Sequence, residues 1–227
     1  MALNKDALTK LAPYLRGASV LSLGYPDILA SAEECHELFG VEAKVVSGTG
    51  EQHGIKRDLV ETMDLMAMIG AKFECVDVQR WRGHERVCDL NEPQDLGKFD
   101  LVIDPGTTEH CFNIGQAVKN AASAVKVGGH IYHGSPMTMI NHGFYNICPT
   151  MLWDFYEQNG WKIVMMEARS THTVGGKAIN SIFARTRIAT VSPESSIICM
   201  AQRRTDAALI WPMQEKYRKL LKDRKAA

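Results

Sequence analysis

Short apolar runs that close on an acid constrain this chain more than any other feature. Ala71–Val78 (AKFECVDV), Glu85–Leu90 and Phe99–Asp104 (FDLVID) each have strand length, and segments of helical periodicity lie between them. Runs of this kind, apolar on both faces and alternating with helices, belong to parallel sheets with right-handed crossovers. Ligands of such sheets sit outside the carboxyl ends of the strands, near the switch in strand order. The strand-end acids Asp77, Asp89 and Asp104 are therefore expected to face one crevice, although they lie far apart in sequence.

The remaining segments fit the same scheme. Residues 3–15 have the spacing of an amphipathic helix, and Ala18–Leu23 forms a buried strand closed by Gly24 with Pro26 beyond. Asp27 or Ser31 caps a helix that runs to about Phe39 and stops at Gly40. Residues 41–58 carry Gly48, Gly50 and Gly54 and read as a loop-rich insertion, followed by a helix over Leu59–Met68. Further helices are expected around 113–125, at Pro149–Gln158 and from about Pro212 to Lys225. Val127–His133, Trp161–Ala168 and Ser195–Gln202 read as the fifth, sixth and seventh strands. A Gly175-Gly176 turn and a hairpin strand at Ser181–Arg187 complete the reading.

The chain has 227 residues, enough for one α/β domain with its own core. Lys and Arg total 26 and so do Asp and Glu, which leaves no basic excess for wrapping nucleic acid. No run approaches the ~18 apolar residues of a membrane span. The opening MALNKDALTKLAPYL carries Asp6 and lacks the apolar core of a signal peptide, so a cytoplasmic protein is expected. Cys35, Cys75, Cys88, Cys111, Cys148 and Cys199 show no CxxC spacing and read as reduced, mostly buried thiols. His110, Cys111, His133, His142 and Cys148 match no zinc pattern, so no metal is expected. Val174-Gly175-Gly176-Lys177 reads as a hairpin turn, and the basic run from Lys216 to Arg224 as a solvated helix face.

From Phe99 onward the sequence resembles the second half of class I S-adenosylmethionine-dependent methyltransferases. FDLVIDPGTTEH is similar to the family's fourth strand with its trailing Glu-His, and AVKNAASAVKVGGHIYH to the following helix, Gly-Gly turn and fifth strand. HGFYNICPTMLWDFYEQNGWKI resembles a lid-and-helix segment, ECVDV the strand whose acid holds the adenosyl ribose, and CDLNEP the segment beside adenine. The resemblance spans roughly residues 18–167. It implies a doubly wound, mostly parallel seven-stranded sheet of Rossmann-like type as a single domain over 1–227. Insertions are expected at 41–70 and 169–194.

The resemblance also implies S-adenosylmethionine as cofactor. Gly24 would allow close approach of its methionyl part, Asp77 would accept from the ribose hydroxyls, Asp89 and Asn91 would lie at the adenine, and Asp104 near the sulfonium. His142 and His110 are the candidate bases, with Tyr145 and Asn146 beside them for a polar acceptor. The family's glycine-rich first loop is altered in VLSLGYPDIL: Ser22 stands where an acid is usual, and Tyr25-Pro26-Asp27 replaces the later glycines. The expected activity is methyl transfer to a small or saccharide-like polar acceptor, by in-line displacement, from a possible homo-oligomer without nucleic acid or membrane partners. The alternative is a binding or scaffold subunit that has lost the cofactor.

Overall fold

The computed structural model of the protein describes residues 1–46, 57–170, 176–178 and 192–226. In chain order the elements are β1 (Ala2–Leu3), α1 (Lys5–Leu15), β2 (Ser19–Leu23), β3 (Asp27–Ile28), α2 (Ala32–Phe39), β4 (Val45–Val46), β5 (Leu59–Val60) and α3 (Thr62–Met68). There follow β6 (Lys72–Asp77), β7 (Arg86–Val87), β8 (Phe99–Asp104), a 3-10 turn (Thr108–His110), α4 (Ile114–Ser123) and β9 (Val125–Pro136). The last are α5 (Pro149–Gln158), β10 (Lys162–Ser170), β11 (Gly176–Ala178), β12 (Ser195–Gln202) and α6 (Glu215–Ala226).

The main sheet runs β11-β10-β12-β9-β8-β2-β6-β7. From β7 to β9 all pairings are parallel, and β12 is inserted antiparallel between β9 and β10. These are the seven expected strands in doubly wound order, with the three-residue β11 added at one edge. Alternate side chains of each strand feed opposite faces. Leu21, Leu23, Val102, Ile131 and Ile197 meet α4 and α5, whereas Val20, Leu101, Ile103, Tyr132 and Ile198 meet α1, α2 and α3. Both faces are thus covered, as the unbroken apolar runs require.

Local chemistry fixes the helix ends. Ser31 and Glu34 form a reciprocal capping box on α2, and Gly40 closes it with a left-handed φ of 68°. Asn4 caps α1 by accepting from Ala7, so that helix starts at Lys5, and Ala2–Leu3 is drawn into a strand instead. Among the described residues no helix is long and apolar enough to cross a membrane.

Several expectations change. Leu59–Val60 is not the start of a helix: it pairs with Val45–Val46, and Glu61 caps the helix that follows by accepting from Asp64. The small sheet so formed, β1-β3-β5-β4, stands beside the main one, so part of the expected loop-rich insertion is ordered structure. The third strand shrinks from Glu85–Leu90 to Arg86–Val87, whose side chains are exposed. The fifth strand instead lengthens to Val125–Pro136, carrying Gly128 at φ 86° within it. The expected hairpin strand at Ser181–Arg187 and the first two residues of the Val174–Lys177 turn lie outside the described residues, whereas Gly176 and Lys177, expected in that turn, begin β11.

Candidate active site

A cavity of about 620 Å3 opens at the carboxyl ends of β6 and β8, where Asp77, Asp89, Asn91, His110 and His142 all line it. Five of the residues expected at the site are therefore brought together. Asp77 closes β6 and accepts from its neighbour Val78 N at 2.6 Å, leaving Oδ2 beside Gly24. Asp89 Oδ1 accepts from Asn91 N at 2.9 Å and Asn91 Nδ2 at 2.8 Å, bonds that hold the carboxyl below its ordinary range. Asn91 Oδ1 in turn accepts from Asn113 N at 2.8 Å, which ties this wall to the cap of α4. Trp81, largely exposed, and Thr107 complete the mouth.

Gly24 does not itself line the cavity, but it packs against Met1 and Asp77, which do. Its φ of 81° is left-handed, and a Cβ there would run into the Met1 side chain and approach Asp77 Oδ2 to 3.4 Å. Met1 itself lines the cavity with its sulfur against Thr107 Oγ1, whose hydroxyl donates to Leu23 O at 2.5 Å. A glycine is needed here on both counts, chain direction and space. Tyr25 turns away from the cavity: its ring is buried, stacks on His84 at 5.9 Å, and its hydroxyl donates to Glu61 beside the small sheet. The altered loop after β2 therefore does not fill the cavity with a tyrosine ring.

Asp104 departs from its expected place beside a cofactor sulfur. It is fully buried and does not line the cavity. Its carboxylate accepts from Thr107 N at 2.9 Å and Thr108 Oγ1 at 2.6 Å, and Oδ2 lies 2.7 Å from His133 Nδ1. His133 Nε2 meets Tyr156 OH at 2.5 Å. Burial alone would push the Asp104 carboxyl up, but His133 and the Thr108 and Thr107 donors bring it below its usual range. His133 is thus an interior link between β8 and α5.

The segment after β9 docks as a unit over the 3-10 turn. Phe144 N and Tyr145 N donate to Glu109 O at 2.9 and 3.3 Å, Ile147 N to Pro136 O at 2.7 Å, and Tyr145 OH to Phe112 O at 2.8 Å. Tyr145 thus fastens this lid and does not line the cavity, while Asn146 bonds within the lid, its Oδ1 accepting from Met139 N at 2.8 Å. Gly143 permits the docking, because a Cβ there would lie 2.9 Å from Glu109 O and 3.2 Å from His110 Nδ1. The result places the His142 ring 5.4 Å from the His110 ring. Burial, and then the facing His142, hold His110 below its ordinary value.

One residue that sequence reasoning passed over sits at the centre of this arrangement. Glu109 is fully buried, and among the described residues neither carboxylate oxygen has a hydrogen-bond partner. Its Oε1 lies 3.6 Å from His142 Nε2 and 4.0 Å from His110 Nε2. Burial, and then the nearby Asp104 charge, push its carboxyl up to about 8. The Glu-His pair in TTEH was the one signal that marked it.

These features define a class I methyltransferase-like fold, with its cavity at the carboxyl ends of the parallel strands. Among solved structures, the chain is similar to the O-methyltransferase of a trans-AT polyketide synthase multienzyme from Brevibacillus brevis, determined with S-adenosyl-L-homocysteine. That match has 10% identity and a TM-score of 0.50, and covers 88% of this chain and 71% of that one. It is also similar to the 1,6-didemethyltoxoflavin-N1-methyltransferase of Burkholderia thailandensis, with 13% identity, TM-score 0.45, and coverage of 88% and 80%. TehB from Haemophilus influenzae matches at 12% identity and TM-score 0.46 over 87% of this chain, which spans 62% of TehB's length. No protein-family profile and no curated protein matches the sequence.

Proposed function

We propose that the protein transfers the methyl group of S-adenosylmethionine to a small or saccharide-like polar acceptor. The observation that carries this reading is the convergence of Asp77, Asp89 and Asn91 with His110 and His142 on one cavity of about 620 Å3. Asp77 Oδ2 is available for the ribose hydroxyls and Asp89 for the adenine end. Gly24, packed against the cavity-lining Met1 and Asp77, would keep the backbone low beside the methionyl chain. His110 and His142 line the same cavity, and there an acceptor hydroxyl would lose its proton to one of them as the methyl passes. Trp81 offers an apolar face beside these polar groups, a mixture suited to a sugar-like ligand. In-line displacement needs little beyond alignment of acceptor and methyl, which a rigid cavity supplies.

A second reading, a binding subunit without cofactor, draws on Met1 seated over Gly24. Calorimetry with S-adenosylhomocysteine separates the two. The enzyme reading expects saturable binding, weakened by about 1.5–3 kcal/mol in Asp77→Ala, the range for a hydrogen bond to a charged group. No heat at millimolar ligand would leave the scaffold reading. With an acceptor found by screening sugars and sugar nucleotides, His142→Asn should lower turnover by roughly 10²–10⁴-fold.

A further inference from the structure

We infer that Glu109, His110 and His142 form a binding site for one divalent transition-metal cation, facing the cavity. Their three donor atoms lie within 4.8 Å of one another. Metal–ligand bonds of ~2.1 Å put neighbouring donors roughly 3.0–3.4 Å apart in octahedral or tetrahedral geometry. The observed 3.6 and 4.0 Å from Glu109 Oε1 to the two imidazoles are only slightly wider. Both imidazoles are about half exposed, so small ring movements close the difference.

The independent sign of a missing ligand is Glu109 itself. A buried carboxylate without a single donor is costly, and such groups are normally paired or bound to metal. Neither imidazole is close enough to serve as a hydrogen-bond donor to it. The fold also takes trouble to bring the third ligand in. Gly143 lets the lid pack against Glu109 and His110, and two backbone bonds to Glu109 O fix Phe144 and Tyr145, the second and third residues after His142.

Two imidazoles and one carboxylate on one side leave the remaining coordination positions open. That donor set suits zinc, cobalt, manganese or iron better than calcium or magnesium. His110 and His142 both line the cavity, so the open positions face the bound acceptor. A hydroxyl that reached the cation would be acidified there. The cation would then stabilise the acceptor's alkoxide while its proton passes to water at the open mouth of the cavity, in place of proton transfer to a free imidazole, a use that rests on the methyl-transfer reading above. Binding of the cation does not rest on it.

The test is titration of chelator-stripped full-length protein with Co2+, read by visible d–d absorption. One equivalent is expected to bind, without the thiolate charge-transfer band that cysteine coordination would add. Glu109→Gln and His142→Ala should each weaken binding at least ~100-fold, since even outer-shell changes cost 10–100-fold. His36→Ala, at an exposed His beside Glu42, should leave it unchanged. His142→Ala removes a half-exposed ring, so it keeps the test usable if Glu109→Gln fails to fold. No binding by the wild type, a thiolate band, or unchanged affinity in His142→Ala would each overturn the site. Titration of the stripped protein with S-adenosylhomocysteine reports the cofactor reading separately, so either can fail without the other.

Discussion

Replacing Gly143 by alanine tests whether the lid is packed in place or merely rests there. The added Cβ would sit 2.9 Å from Glu109 O, 3.1 Å from Glu109 Cγ and 3.2 Å from His110 Nδ1. The Glu109 carbonyl is poorly placed to yield, because it accepts from Phe144 N at 2.9 Å and Tyr145 N at 3.3 Å. Relief therefore requires the lid to lift by a few tenths of an ångström. Overpacking of this kind costs about 1–3 kcal/mol. Against it, alanine restricts the unfolded chain and returns about 0.4–1 kcal/mol. The steric cost wins, and the net loss should be about 1–2 kcal/mol, read from equilibrium urea unfolding. For a chain of this size that lowers Tm by roughly 2–8 °C. Gly115→Ala is the control. Its Cβ would meet Trp211 at an ordinary 3.4 Å inside α4, so it should stabilise by about 0.5–1 kcal/mol. A Gly143→Ala protein as stable as the wild type, with Gly115→Ala behaving as expected, would refute the packing argument.

Other perturbations separate the cavity from its surroundings. Tyr25→Phe removes the bond to Glu61 and the one accepted from Met63 N. It should cost about 1–2 kcal/mol in urea unfolding yet shift S-adenosylhomocysteine affinity less than about twofold, because the ring faces away from the cavity. A large loss of affinity would place Tyr25 in the site after all. Tyr156→Phe strips His133 Nε2 of its buried partner and should destabilise by about 1–3 kcal/mol. Asp104 titrates below its usual range in the folded protein, so its contribution is present above the unfolded value and lost as pH falls through the folded one. His133→Leu should flatten that acid limb in stability measured against pH, and an unchanged limb would assign it to other carboxylates.

The sequence made the sheet legible where apolar runs were long and ended abruptly. Val20–Leu23, Cys75–Val76 and Leu101–Ile103 feed the core faces as their pattern demands. It failed where pairing is remote. Nothing local in Leu59-Val60 announces a strand partner at Val45-Val46, and a strong helical run beginning at Thr62 masked it. Of the acids grouped by their place after apolar runs, Asp77 and Asp89 line the cavity. Asp104 does not, because the direction of its carboxylate is set by His133, a residue 29 positions later, on the neighbouring strand. Glu109 was visible as part of TTEH, but its lack of any partner is a property of three dimensions alone. Gly143 is a packing residue, because a Cβ there would meet Glu109 O at 2.9 Å, a closeness that no local pattern announces.

The antiparallel insertion of β12 has a consequence for synthesis. β9 and β10 do not touch as neighbours in the sheet, and each depends on β12 to satisfy an edge. As the chain leaves the ribosome, the parallel half from β7 to β9 can assemble early, but the long β9 edge stays open until Ser195–Gln202 emerges. Open apolar edges are templates for pairing with other chains. A chain halted between Ser170 and Ser195 therefore carries two unmatched edges through the middle of its sheet, at β9 and β10. The last eight-residue strand closes both at once.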